Sequence, residues 1–319
     1  MESKNILITG AAGFIGYFCA TALKRRGDGV IGFDNFNAYY SPILKRERSR
    51  LLAKEGVTII EGDLCDKELL MELFKEHKFT HVLHLAAQAG VRYALKFPNA
   101  YLKSNIEGFL SLLEILREVP KTELIYASSS SVYGKNEKIP FSIMDQTDRP
   151  ANLYAATKKA NELMAYSYHN LFRIPMTGLR FFTVYGPWGR PDMAYFSFTK
   201  SILEETPIYL FNEGKMERDF TYIDDIVGGV IAAIDQKERT FDLFNLGNNH
   251  PVPVLEMIGI LENLLKKKAV YEMGPTSAGE VAITYADISD AEKRLGYRPT
   301  IRLEEGLSRF LDWYTHSNS

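Results

Sequence analysis

Lys4-Asn5-Ile6-Leu7-Ile8-Thr9-Gly10-Ala11-Ala12-Gly13-Phe14-Ile15-Gly16 is the stretch that decides the fold. The apolar run ending at Thr9 predicts a strand, and the residues that follow, to about Arg26, predict a helix. Between them, Gly10, Gly13 and Gly16 suit a tight turn, a close approach of backbone to a pyrophosphate, and close packing of helix on sheet. The spacing is GxxGxxG, with a strand before it and a helix after it. A second strand, 30–33, ends at Asp34, 18 residues after Gly16. That is where a carboxylate meets an adenosine ribose. No Lys or Arg follows in Asn35-Phe36-Asn37-Ala38-Tyr39-Tyr40. A 2′-phosphate there would face Asp34 without a partner, so NAD is favoured over NADP.

The alternation continues outward. Strands are expected at 57–61, 80–85, 123–127 and 176–180, and helices at 41–54, 66–76, 98–118 and 151–172. The helix at 41–54 is charged. Repeated strand–helix units with apolar strands predict an α/β chain with a Rossmann-like, doubly wound parallel sheet. Ligands bind such sheets at the carboxyl ends of the strands. Asp34, Asp63, Ala86, Ser129 and Thr183 fall at expected strand ends and converge on one cleft. Ala86-Ala87 leaves room for a flat cofactor to cross the sheet edge. After Thr183 the pattern breaks into the loop Tyr185-Gly186-Pro187-Trp188-Gly189-Arg190-Pro191. A helix at 196–205, a strand at 208–211, an apolar helix ending at Asp235, a strand at 241–245 and helices at 253–266, 287–295 and 303–315 follow. The expected division is a nucleotide-binding domain of 1–183 plus about 219–247. A smaller, discontinuous substrate domain takes about 184–218 plus 248–319.

Chemistry concentrates between Tyr126 and Lys158. Tyr126-Ala127-Ser128-Ser129-Ser130-Ser131-Val132-Tyr133-Gly134 reads as a strand entering a serine-rich turn. Tyr154-Ala155-Ala156-Thr157-Lys158 opens a helix, and residues four apart share a helix face. An ammonium beside a phenol favours the phenolate and lowers the tyrosine pKa toward working pH. A hydroxyl from the serine turn is placed to hold a substrate oxygen against that tyrosine.

The 319 residues allow one large domain or two smaller ones, and the formal charge of −2 gives no reason to expect nucleic acid or an anionic membrane as partner. Cys19 and Cys65 form no paired motif, the chain enters a strand without a signal peptide, and no apolar run is long enough to span a bilayer. The expectation is a cytoplasmic protein. The six histidines show no metal spacing, so no metal is expected.

These motifs resemble the extended short-chain dehydrogenase/reductase family, and within it the nucleotide-sugar 4-epimerases. The resemblance runs from Gly10 to Tyr285-Ala286-Asp287. It rests on GxxGxxG, Asp63-Leu64, Leu85-Ala86-Ala87, the serine turn, Tyr154 to Lys158, and Arg218-Asp219-Phe220. Gln88-Ala89-Gly90-Val91-Arg92, the four serines, and Thr183-Val184-Tyr185-Gly186-Pro187 followed by Arg190-Pro191-Asp192-Met193 are similar to the UDP-glucuronate 4-epimerase group. Gly279-Glu280-Val281 has Glu where that group usually has Asp.

The resemblance implies Ser129, Tyr154 and Lys158 as catalytic residues. It implies cofactor contacts at Gly10, Gly13, Phe14, Ile15, Gly16, Asp34, Asn35, Asp63, Leu64, Leu85, Ala86, Ala87, Gln88, Asn105, Tyr154 and Lys158. Arg92, Ser129, Ser130, Ser131, Thr183, Arg190 and Arg218 would meet a UDP-sugar, and helices 98–118 and 151–172 would pair across a homodimer. The implied reaction interconverts UDP-glucuronate and UDP-galacturonate with tightly bound NAD. Sister dehydratases and decarboxylases carry an acidic residue where this turn has Ser130 and Ser131, which argues for epimerisation alone. Alternatives are a UDP-glucose/UDP-galactose 4-epimerase and, in another class, a non-catalytic NAD-binding subunit or sensor.

Overall fold

The computed structural model describes residues 3–237, 240–274 and 282–317. In its first half, strands β1 (Asn5–Thr9), β2 (Gly29–Asp34), β3 (Thr58–Glu61), β4 (His81–His84), β5 (Glu123–Ser129) and β6 (Met176–Phe181) alternate with helices. The helices are α1 (Phe14–Arg26), α2 (Pro42–Lys54), α3 (Lys67–His77), α4 (Val91–Lys96), α5 (Pro98–Tyr101), α6 (Gly108–Glu118) and α7 (Leu153–Phe172). Local chemistry sets their ends. Asp66 caps α3 by accepting from Leu69 N at 3.0 Å, and Asn152 caps α7 by accepting from Ala155 N at 2.9 Å.

The second half contains β7 (Thr183–Tyr185), α8 (Ala194–Glu204), β8 (Pro207–Leu210), β9 (Glu217–Tyr222), α9 (Ile223–Asp235) and β10 (Phe241–Leu246). It ends with β11 (Pro251–Pro253), α10 (Val254–Leu265), β12 (Val270–Met273), β13 (Ile283–Thr284), α11 (Ser289–Leu295) and α12 (Leu303–Ser317).

Seven strands form one sheet in the order β10-β6-β5-β4-β1-β2-β3. Every pairing in it is parallel. The order in which successive strands are added reverses at β1, with β2 and β3 on one side of it and β4 and β5 on the other, which opens a crevice at the carboxyl ends. Strand β6 is buried at all six positions, as a strand covered by helices on both faces must be. One sheet face buries Leu7, Leu70, Phe109, Leu112, Leu116 and Tyr126. The other buries Ile6, Ile8, Leu23, Ile226 and Phe244, and this cluster continues to Met257, Leu261, Leu307 and Phe310. The C-terminal helices thus share a core with the sheet. Each such side chain contributes about 1.5–3 kcal/mol.

Outside the main sheet, β9 pairs antiparallel with β11 and parallel with β7 and β13, and β8 pairs with β12. Asp219 on β9 is fully buried and accepts from Asn249 N at 3.0 Å and Ala286 N at 2.9 Å, which gathers the late segments around that strand.

Two expectations change. The helix at 98–118 is broken by a π-turn at Leu102–Glu107, and α4 precedes it as a separate helix. The wide turn brings Asn105 inward, where its amide bonds Gln88 O at 3.0 Å and Thr157 Oγ1 at 3.0 Å. Thr183 does not end β6; it begins β7, which pairs with β9 in the second sheet, because the chain crosses between sheets at Phe182. Among the described residues, no helix is long and apolar enough to cross a membrane.

Candidate active site

The carboxyl ends of the strands open into a cleft of about 860 Å³. Gly10, Gly13, Phe14, Ile15, Gly16, Asp34, Asn35, Asp63, Leu64, Leu85, Ala86 and Ala87 line it, as do Ser129, Tyr154 and Lys158. Arg92, Ser130, Ser131, Thr183, Arg190 and Arg218 line it too. Gln88 and Asn105 do not face this space. They lie buried behind its wall, with Gln88 N donating to Asn105 Oδ1 at 2.8 Å. Through Asn105 and Thr157 they tie the end of β4 to α7. The Gly279-Glu280-Val281 departure lies outside the described residues.

The cofactor side is built from backbone. Gly10 has φ +71°, and a Cβ there would sit 2.7 Å from Ala86 N. A Cβ on Gly16 would sit 2.2 Å from Gly10 O. Helix α1 is preceded by Gly13 as its N-cap, with no side-chain cap, so its first N–H groups are available to an anion. Asp34 is fixed at the end of β2 by Ala12 N at 3.0 Å on Oδ2 and Phe36 N at 2.9 Å on Oδ1. Burial pushes its pKa up against these two bonds. A turn without side chains, a free helix N-terminus and an oriented carboxylate fit a dinucleotide.

Lys158 is buried, and its Nζ donates to Ala127 O at 2.9 Å. Burial lowers its pKa to about 8, with the Glu162 carboxylate pulling the other way. Tyr154 has a pKa above the ordinary tyrosine value. Burial raises it, and the hydrogen bond with Ser129 and the charge of Arg190 offset only part of that. The expected lowering by Lys158 is therefore not found: that ammonium is turned to the strand end, and Arg190 is the cation that acts on the phenol. Ser129 Oγ also accepts from Ser131 N at 3.1 Å, which closes the serine turn. Behind it, Ser128 Oγ donates to Glu162 Oε1 at 2.6 Å, and Arg180 grips Glu162 with two bonds of 2.8 Å. The strand end carrying Ser129 is thus tied to α7 by two side chains, Lys158 and Glu162.

The opposite wall is built from side chains far apart in sequence. Arg190 holds Asp192 through Nε at 3.0 Å and Nη2 at 2.6 Å. Tyr39 donates to Asp192 Oδ2 at 2.8 Å, and the Arg190 guanidinium lies 5.6 Å from the Tyr39 ring centre. Burial would raise the Asp192 pKa, but Arg190 and Tyr39 outweigh it and hold it below the usual range. Arg218 donates to Glu217 O at 2.8 Å, which settles it at the mouth.

Sequence reading missed Tyr39, Lys45 and Asp192, all of which line the cleft. Lys45 comes from α2 and donates to Asn37 O and Oδ1 at 2.8 Å each. Its signal was the spacing of Lys45, Arg48 and Leu52, which share the buried face of a helix that reads as solvated.

A model of the NAD dependent epimerase/dehydratase family matches residues 6–247. The chain is 55% identical over 327 residues to UDP-glucuronate 4-epimerase 4 of Arabidopsis thaliana, covering 97% of this chain and 75% of that protein. A crystal structure of Bacillus cereus UDP-glucuronic acid 4-epimerase in complex with UDP-glucuronic acid and NAD matches it with a TM-score of 0.92 at 35% identity, covering 98% and 99% of the two chains. A UDP-glucose 4-epimerase from Thermotoga maritima, with UDP-glucose, matches with a TM-score of 0.88 at 29% identity, covering 99% and 100%.

Proposed function

The chain belongs to the NAD dependent epimerase/dehydratase family, and from that membership we infer that it is an NAD-dependent enzyme interconverting UDP-glucuronate and UDP-galacturonate. The observation that carries this reading is one wall of the cleft holding Ser129, Tyr154 and Lys158 while Arg190 faces them, with serines where an extra acid would stand.

NAD, held by the glycine turn, Asp34 and the Ala86-Ala87 strand end, supplies a reversible hydride acceptor and a positive charge. Tyr154 takes the proton of the C4 hydroxyl, and Ser129 holds the C4 oxygen by a hydrogen bond. Lys158, anchored on Ala127, keeps the Tyr154 helix in register with the strand carrying Ser129. The 4-keto sugar turns over in the pocket and presents its other face, so that hydride would come back to C4 on that face while Tyr154 returns the proton to the C4 oxygen.

A 4-ketohexuronate is a β-keto acid and loses CO2 readily. Loss of CO2 drains charge from the carboxylate, so donors that bind the charged carboxylate oppose it. Arg190, Ser130 and Thr183 supply those donors. The same contacts select glucuronate over glucose, which has no carboxylate.

Residues 1–183 with about 219–247 hold NAD, and about 184–218 with 248–319 hold the UDP end, with Arg218 near the phosphates. Pairing of β10 with β6 in the main sheet, and of β8 with β12 outside it, supports this division. The assembly is a homodimer through α6 and α7. Leu110, Leu163, Tyr166 and Leu171 are exposed on them, and a matching copy would cover these side chains. The compartment is the cytoplasm, in keeping with two free cysteines.

Proton NMR of UDP-glucuronate and, separately, UDP-glucose with the purified protein tests the reading. UDP-galacturonate should form from the first, and the second should stay unchanged. Turnover of UDP-glucose in preference, or a UDP-pentose with CO2, overturns it.

A further inference from the structure

Helix α2 turns Lys45 and Arg48 inward, and Arg48 is fully buried. Its guanidinium bonds to oxygens in three separate parts of the molecule. Nη1 donates to Ala12 O, in the glycine turn, at 2.9 Å and to Tyr40 Oη at 2.8 Å. Nη2 donates to Trp188 O and to Gly189 O, the latter at 3.3 Å. The acceptors are carbonyl and phenol oxygens, so the site uses the planar fork to fix backbone.

What it fixes is unusual. Trp188 has φ +58°, a left-handed conformation that bulky residues avoid and that persists only where the surroundings enforce it. Its ring packs against Tyr17 at 5.9 Å and Trp313 at 5.1 Å between centres. Its carbonyl is held by Arg48. Two residues further on is Arg190.

We propose that Arg48 is a positioning residue for substrate selection: it pins the backbone at Trp188 and Gly189 to the cofactor turn and so sets Arg190 where a hexuronate carboxylate meets it. The inference rests on the reading that Arg190 binds that carboxylate. A lysine at this position keeps the charge and loses the fork that serves four acceptors in two directions.

The test is calorimetric binding of UDP-glucuronate and UDP-glucose to NAD-loaded protein carrying Tyr154→Phe, so that neither sugar turns over. Arg48→Lys is expected to cut the preference for UDP-glucuronate about ten-fold, with the Kd for UDP-glucose within two-fold of the parent. Arg190→Ala should remove the preference as well. If Arg190→Ala removes it and Arg48→Lys keeps it, the proposal fails and the reading of Arg190 stands. If Arg190→Ala keeps it, that reading fails and takes the proposal with it. Equal weakening of both sugars by Arg48→Lys makes the role merely structural and overturns the proposal. Arg48→Gln, which retains one amide donor, covers the case in which the lysine variant does not fold; its expected result is the same selective loss. Absence of folded protein for both variants overturns the proposal.

Discussion

The two walls of the cleft are made differently. Around Gly10 to Gly16 the site is backbone, shaped by the absence of side chains and by the free start of α1. Around Tyr39, Arg190 and Asp192 it is a set of side chains whose parent segments meet only in three dimensions. The backbone wall cannot be altered without moving the fold. The side-chain wall can be altered one contact at a time, which is where a family varies its substrates on a fixed frame.

The contrast predicts which property each substitution touches. Tyr154→Phe should lower the epimerisation rate by about 10²–10⁴-fold, the usual worth of general acid–base catalysis, with NAD still bound after purification. The NMR rate and the absorbance of released cofactor check both halves, and loss of cofactor would blur the two walls.

Lys158→Met separates chemistry from stability more sharply. Burial holds the folded lysine at about 8 against an ordinary value of 10.5. Between those values the unfolded chain binds more protons, so stability of the parent rises as pH rises through that window. The full effect is about 3 kcal/mol at most. The variant should lose activity, be more stable than the parent at neutral pH, and lack that rise. Denaturant melts at pH 7 and pH 10 measure this, and a parent with no rise relative to the variant contradicts it.

Gly16→Ala acts on the other wall. The methyl would press on Gly10 O, and we expect a loss of roughly 1–3 kcal/mol, as for overpacking, together with weak NAD retention. Urea unfolding and cofactor content report it. Ser130→Ala should be the mildest, costing about 0.5–1.5 kcal/mol of UDP-glucuronate binding through one hydrogen bond, with UDP-glucose unaffected. An effect of equal size on both sugars would mean that Ser130 only shapes the turn.

The same contrast explains how far sequence reading went. Glycines between a strand and a helix, and acids at strand ends, follow from local rules, and the parallel sheet with β10 returning to β6 follows from apolar strands spaced by helices. The tyrosine and lysine of α7 were readable because a helix fixes their spacing. The direction of the Lys158 ammonium was not, since it depends on the Ala127 carbonyl of another element. The partners of Asn105 were hidden for a similar reason: a π-turn, which no local residue pattern announced, rotates it into the interior, where it meets Gln88. Lys45 and Arg48 were hidden by their own charge. A basic helix reads as solvated, and only the carbonyls waiting inside give that face a reason to be buried.

The late return of β10 also bears on how the chain is made. Residues 241–246 complete the hydrogen bonding of β6, whose six positions are all buried. During synthesis, β6 leaves the ribosome well before its partner and stands meanwhile as an open apolar edge, the kind of surface on which nascent chains stick to one another. A chain cut just before Phe241 would keep that edge permanently, so the sheet is expected to tolerate truncation from its carboxyl end poorly. Pulse labelling or stalled chains of increasing length would reveal protease resistance of 176–181 appearing only once the stretch around Leu246 has emerged.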